Sequence, residues 1–326
     1  MGKKQNYGEA IRSGFEHLMA NYSEVFCIGQ GLWSPWYVGN TMTNLEAKFG
    51  KERVLDSPVS ELGCTGAAVG AALSGYRPIV IHPRVDFFLL AVDQLVNQAA
   101  KWRHMFGGNV SVPMTVRAVI NRGGEQGAQH SQALHSWFAH IPGLRVVMPA
   151  TPMDARDLLI SSVLCDDPVL YIDDRWLYEL EEEETPITEQ PLQQIGPVRR
   201  REGTDATLVA CSYSVKLALD AADQLRADNV SCDVIDLRVL NPLDASIVIE
   251  SVSRTGRLLA IDGDWSSCGL AGEIIARVSE SQAFGALKSR PRRVTIADAP
   301  APTSGPLEKI YYPTVEQVCS SVRALL

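Results

Sequence analysis

Three of the six histidines in the chain, His130, His135 and His140, fall inside "EQGAQHSQALHSWFAHIPG", residues 125–143. Imidazoles this close together could bind a metal, move protons or fill a core. Successive members are five residues apart, and on a helix each such step turns by about 140°. Metal-binding helices set their ligands at i, i+3 or i+4, so that they share a face. The spacing therefore argues against one metal held by all three. "RGGEQGAQ" (122–129) is a glycine-rich loop, and "HSQALHSWFAHIPG" reads as the helix it feeds, with His130 at its start and Ser131 as a cap. A helix N-terminus disfavours a positive imidazole and offers free N–H groups to an anion. His130 is thus the histidine placed for chemistry. His135 and His140, beside Trp137, Phe138 and Ile141, are expected to pack in a core or an interface.

A second candidate is Glu61, which enters the Ala/Gly-rich stretch "LGCTGAAVGAALSG" (62–75). That stretch is too short to span a membrane and reads as a tightly packed, buried helix. Two readings of Glu61 stand side by side. Burial would raise its pKa and make it a working acid; alternatively it is a helix N-terminal carboxylate favoured by the macrodipole. "IDGDWSSCGLAGE" (261–273) brings to mind a G-D-G metal–diphosphate motif, but the asparagine needed about thirty residues on is missing. No strand is followed by G-x-G-x-x-G, and the chain has no P-loop, H-E-x-x-H or G-x-S-x-G.

These residues need a scaffold, and 326 residues suggest two domains. Short apolar runs at 24–29, 77–82, 113–120, 144–149 and 168–173 alternate with helical patterns, including 87–106 and 151–164. A second series of strands follows at 206–211, 231–237, 257–262 and 292–298, with a helical pattern at 214–228. Such alternation implies an α/β fold: two doubly wound domains with mostly parallel sheets. The acidic, then Pro/Gln-rich stretch 179–197 reads as a solvated linker. Expected boundaries are 1–180, a linker at 181–199, and 200–326. The formal net charge of -8 argues against nucleic acid or an anionic membrane as partner. "MGKKQNYGEA" lacks the apolar core of a signal peptide, and seven scattered cysteines without C-x-x-C suit reduced, buried thiols in a cytoplasm.

Taken in order, "VLDSPVSELGCTGAAVGAALSGYRPI", "AVDQLVNQAAKWRHMFGG", "QHSQALHSWFAHIPGLRVVMPATPMDARDLL", "VIDLRVLNPLD" and "APAPTSGPLEKIYYPTVEQV" resemble the β subunit of the thiamine-diphosphate-dependent E1 component of 2-oxo acid dehydrogenases, of the pyruvate, branched-chain and acetoin types. The resemblance covers nearly the whole chain. It implies a pyrimidine-binding domain followed by a transketolase C-terminal-like domain. It also implies an α subunit in an α2β2 heterotetramer, which would carry the G-D-G motif and hold Mg2+ and the diphosphate. Glu61 falls on the glutamate that pairs with N1′ of the cofactor's aminopyrimidine, Phe87 on an aromatic that packs against that ring, and His130 on the active-site histidine. Phe87 also reads as an ordinary core residue. The implied reaction is decarboxylation of a 2-oxo acid, with transfer of the acyl unit to a lipoyl E2 carrier. A structural potassium site would use mostly backbone oxygens, at positions matching Met114, Ser162, Val163, Cys165 and Asp167.

Two positions depart from the family pattern. Gln30 stands where a glutamate is usual, keeping hydrogen bonding near the cofactor but losing a charge. "VIHPRVDFF" (80–88) introduces His82, Pro83 and Arg84. Arg84 would favour an acidic or phosphorylated substrate, unless it is a plain surface arginine. Two other functions fit the same domains: a split transketolase-like subunit moving a two-carbon ketol unit, and a non-catalytic assembly subunit. Retention of Glu61 and His130 argues against the last.

Overall fold

The computed structural model describes residues 3–326; Met1 and Gly2, with which the expected first domain begins, lie outside the described residues. The chain divides into two compact units, residues 1–121 with 137–195, and residues 122–136 with 196–326.

In the first unit the parallel strands are β1 (Val25–Gly29), β2 (Val54–Asp56), β3 (Arg77–His82), β4 (Thr115–Ile120), β5 (Arg145–Val147) and β6 (Val169–Asp174). They lie in the order β5-β6-β4-β3-β1-β2, and every neighbouring pair is parallel. β4 and β6 are buried along their whole length, as expected of strands covered on both faces. Helix Tyr7–Asn21 begins with a capping box between Asn6 and Glu9 and presents Ile11, Phe15 and Leu18 to the core. Parallel strands all end at the same edge of a sheet, so the loops after β1, β3, β4 and β6 gather there. That carboxyl edge is where open α/β sheets bind ligands.

In the second unit the order is β11 (Arg292–Ile296), β10 (Leu258–Trp265), β8 (Ala206–Ala210), β9 (Cys232–Asp236) and β7 (Val198–Arg201). Only the β9–β7 pair is antiparallel. Among the described residues no helix is long and apolar enough to cross a membrane. The seven cysteines are all free, and five of them are buried.

Four expectations need correction. First, residues 130–143 do not form one helix. Only His135–Ala139 is helical, and His130 sits in a turn, its N–H reaching the Gly127 carbonyl at 3.3 Å. Ser131 therefore does not cap that helix. Second, the glutamate run is not an unpaired linker, although its side chains remain largely exposed. Glu181–Glu183 pairs antiparallel with Lys4–Asn6, and the Glu182 carboxylate accepts from the Met153 N–H at 2.9 Å. Backbone pairing tolerates acidic side chains wherever they can point to water, and here they alternate exposed and half-buried. Third, helix Glu61–Leu73 is buried on one face only. Thr65, Ala68, Val69 and Ala72 pack inward, while Leu62, Gly63, Ala67 and Gly70 are exposed. Small apolar residues mark close approach, and among the described residues of this unit the second face stays exposed. Fourth, the helical pattern at 87–106 is not one α-helix; it passes through short α, 3-10 and π segments before Ala100–Met105.

Candidate functional site

The first unit brings two of the expected site residues together. Gln30 follows β1, Glu61 opens its helix, and both line one cavity with Ser57, Cys64 and His82. Glu61 is half-buried, as suits a carboxylate at a helix N-terminus rather than an acid sealed in a core. His82 closes the cavity from the end of β3. It is buried against Phe88, with ring centroids 5.0 Å apart, and Thr65 Oγ1 lies 3.4 Å from Nε2. Burial without a countercharge lowers its pKa to about 4, so the imidazole is neutral around pH 7. The family pattern marks His82 only as a departure. The signal for its placement was a polar residue ending the apolar run "RPIVIH".

Phe87 is not a core residue. It is 37% exposed and lines a neighbouring cavity with Arg84, Asn121 and Arg175. The two cavities share Pro83.

His130 belongs to the second unit, on a loop fastened from several sides. The Arg122 guanidinium donates to the Gly263 carbonyl at 3.1 Å, and the Glu125 N–H donates to the Glu308 carboxylate at 3.0 Å. Gly127 has φ +75°, and a Cβ there would lie 2.5 Å from the Thr303 methyl. The loop needs glycine at that point, and the turn it makes carries His130.

His135, expected only to pack, is 1% exposed and lies 2.9 Å from the Asp262 carboxylate through Nε2. Burial opposes the imidazolium, but the charge and hydrogen bond of Asp262 outweigh it and raise the His135 pKa. Asp262 moves the other way: burial pushes it up, and His135 brings it below the usual carboxylate range. This is a buried ion pair with the thiol of Cys211 beside it, all three candidate ligand atoms lying within 4.8 Å of one another. Nothing in the local pattern announces Asp262, which is 127 residues away. His140 is exposed and does not pack in a core.

The five positions matched to a potassium site do not fit a cation. Arg77 Nη1 donates to the carbonyls of Val163 and Cys165 at 3.1 and 3.0 Å. The Ser162 carbonyl accepts from the Cys165 N–H, and the Met114 carbonyl from the Val169 N–H. The Asp167 carboxylate pairs with Arg145 and Arg103. A guanidinium already supplies the positive charge at this place.

Residues 3–179 match the family model "Transketolase, pyrimidine binding domain", and residues 197–318 match "Transketolase, C-terminal domain". The chain is 42% identical to the acetoin:2,6-dichlorophenolindophenol oxidoreductase subunit beta of Cupriavidus necator, covering 99% of this chain and 98% of that one. It is 36% identical to the pyruvate dehydrogenase E1 component subunit beta of Rickettsia bellii, with 97% and 96% covered. Among solved structures, a split gene transketolase described as an inactive beta4 tetramer matches with a TM-score of 0.78 at 21% identity, over 98% of this chain and 97% of that one. That likeness concerns the fold. The fold and site define a thiamine-diphosphate type of α/β protein, and the chain belongs to the E1 β subunit family of pyruvate and acetoin dehydrogenase complexes.

The donor set fits one half of that cofactor. The cavity of Gln30 and Glu61 offers an amide, a carboxyl and a neutral imidazole, which suits an aminopyrimidine. No lysine or arginine lines it, so it offers no cation to neutralise a diphosphate.

Proposed function

We propose that the chain is the β half of a thiamine-diphosphate-dependent E1-type enzyme that decarboxylates a 2-oxo acid and passes the acyl unit to a lipoyl E2 carrier. The observation that carries this reading is the Glu61 carboxylate, held at a helix start on the carboxyl edge of a parallel sheet and facing a cavity lined by no lysine or arginine. The bound cofactor supplies the carbon nucleophile that attacks the substrate carbonyl. Glu61 shares a proton with N1′ of the aminopyrimidine. Gln30 adds a neutral hydrogen-bonding group to the same cavity, and Phe87 offers an exposed ring face for packing. His82, kept neutral by burial, can hydrogen-bond there without adding charge. His130 orients the substrate carboxylate and moves a proton during acyl transfer, a task suited to imidazole near neutral pH. Diphosphate and Mg2+ belong to an α subunit in an α2β2 assembly, in a cytoplasm.

A second substrate reading, a 2-hydroxyketone, is favoured by the 42% identity to an acetoin:2,6-dichlorophenolindophenol oxidoreductase subunit. Both reactions begin with addition to a carbonyl. The transketolase-like and scaffold readings are not favoured. Full-length relatives carrying dehydrogenase and oxidoreductase names are far more similar than the 21% identical transketolase.

The test is reconstitution with the α partner and measurement of dye reduction with pyruvate and with acetoin. Glu61→Gln should abolish exchange of the cofactor's C2 proton while leaving assembly intact. Undiminished exchange would overturn the role of Glu61. Tight cofactor binding by the isolated chain would overturn the two-chain site.

A further inference from the structure

Four parallel strands of the first unit contribute to the cavity beside Phe87. Trp36 and Tyr37 follow β1, Arg84 follows β3, Asn121 follows β4 and Arg175 follows β6. Its volume is about 230 Å3, enough for a small organic molecule. Its walls are aromatic: Trp36 is 71% exposed, and Tyr37 and Phe87 are each 37% exposed. Three aromatic faces left open around one hollow are unusual on a surface with no ligand to receive. Tyr37 is held in place from behind, since Gly31 has φ +70° and a Cβ there would lie 2.2 Å from the Tyr37 ring.

The floor is cationic. Arg84 is half-buried, with Nη1 donating to the Asn121 carbonyl at 3.3 Å, and Arg175 is exposed. The charges of Arg84 and Arg175 oppose each other, and Asp86 offsets one of them. Both guanidiniums stand in a cleft with aromatic walls, where fields are strong. A planar guanidinium pairs best with a carboxylate or phosphate, often through two parallel hydrogen bonds.

We propose that this cavity is a substrate subsite for a second anionic group, so that the preferred substrate carries a carboxylate or phosphate on its distal carbon. The inference rests on the reading of Phe87 as the cofactor's neighbour, because that residue joins the subsite to the reacting end. Small uncharged tails, such as those of pyruvate and acetoin, leave the arginines unused.

The test uses the reconstituted α/β enzyme and three 2-oxo acids: 2-oxobutanoate, 2-oxoglutarate and 3-phosphohydroxypyruvate. kcat/KM by dye reduction should favour one of the anionic pair over 2-oxobutanoate by about tenfold or more. Which of the two leads decides between carboxylate and phosphate. Arg175→Gln and Arg84→Gln should each lower the anionic-to-neutral ratio by at least tenfold, and Arg175→Lys should recover part of it. A preference for 2-oxobutanoate, with a ratio unmoved by either variant, would overturn the subsite. A separate readout uses Trp36 fluorescence, with succinate and inorganic phosphate as probes and Trp36→Phe as the control. If no 2-oxo acid is turned over but one probe still quenches Trp36 in an Arg175-dependent way, the anion subsite stands and the E1 reading fails. If turnover proceeds with neither quenching nor an anionic preference, the E1 reading stands and the subsite fails.

Discussion

The two units share a wound α/β plan but use their charged residues differently. At the carboxyl edge of the first sheet, Glu61, Arg84 and Arg175 face open cavities. In the second unit three buried acids are closed off by partners. Asp233 takes Arg199 at 2.9 Å and Arg254 at 2.6 Å, Asp236 takes Arg200 at 2.7 Å, and Asp262 takes His135 at 2.9 Å. The first unit has a closed pair too, Arg117 with Asp173, but it lies within the sheet and not at its rim. The contrast teaches that a charge closed into a buried ion pair is architecture, whereas one that faces a cavity can meet a ligand. The two buried histidines show this in miniature: His82 has no countercharge and its pKa is lowered to about 4, whereas His135 has Asp262 and its pKa is raised.

The largest expected effect tests the open side. Glu61→Gln in the reconstituted enzyme should lower kcat by about 100-fold or more, the range of proton-transfer catalysis. Circular dichroism should be unchanged, since the residue is half-buried at a helix start. A tenfold loss or less would place Glu61 with the architecture.

Next comes the closed side. His135→Ala strands the Asp262 carboxylate in a core and should cost about 3–5 kcal/mol in urea unfolding. A double variant, His135→Leu with Asp262→Leu, should recover most of that loss, because it removes the uncompensated charge. Equal damage from the single and double variants would show that packing, not charge, is what His135 contributes.

The pH signs of the two histidines should be opposite. The pKa of His82 falls from 6.5 unfolded to about 4 folded, so between those values the unfolded chain binds more protons. Stability is full above pH 6.5 and declines as the pH falls toward 4, by about 3 kcal/mol. His82→Gln should flatten that slope. The raised pKa of His135 means that its contribution is full below pH 6.5 and is lost as the pH rises through the folded value. Denaturant titrations across the two windows, on each single variant, would separate them.

Much of this was legible in the chain. The strand runs at 77–82, 206–211 and 257–262 were readable because both faces are buried and the apolar run is continuous. Glu61 was readable because helix starts have a local grammar. His135 was not, because its meaning lies in Asp262, far away in sequence, and no period or spacing encodes that contact. Nor was the break in the helix after His130. The loop is held by Gly263, Thr303 and Glu308, all distant, and these tertiary contacts override the local helical pattern. Arg175 escaped for the same reason: it reaches the cavity with Arg84 only because β6 ends beside β4, which in turn lies beside β3.

The smallest effect concerns Arg77, which extends the closed-charge argument to a place where the family resemblance calls for a metal. Its guanidinium bonds the Val163 and Cys165 carbonyls and reaches Asp166 at 2.6 Å. The Asp166 side chain is exposed, so that pair is screened and adds little. The contribution should come from the two carbonyls, which lose their donor in Arg77→Met, at a cost of about 1–3 kcal/mol. Exchanging potassium for sodium should leave the Tm of the unaltered protein in place, because a fixed cation already occupies the electrostatic role. In Arg77→Met the same exchange should begin to matter, since the carbonyls then face a vacant position that a potassium ion can share. If the unaltered protein responds to potassium as strongly as the variant does, the guanidinium is not acting as the cation, and the closed charges of this chain do not extend to that helix end.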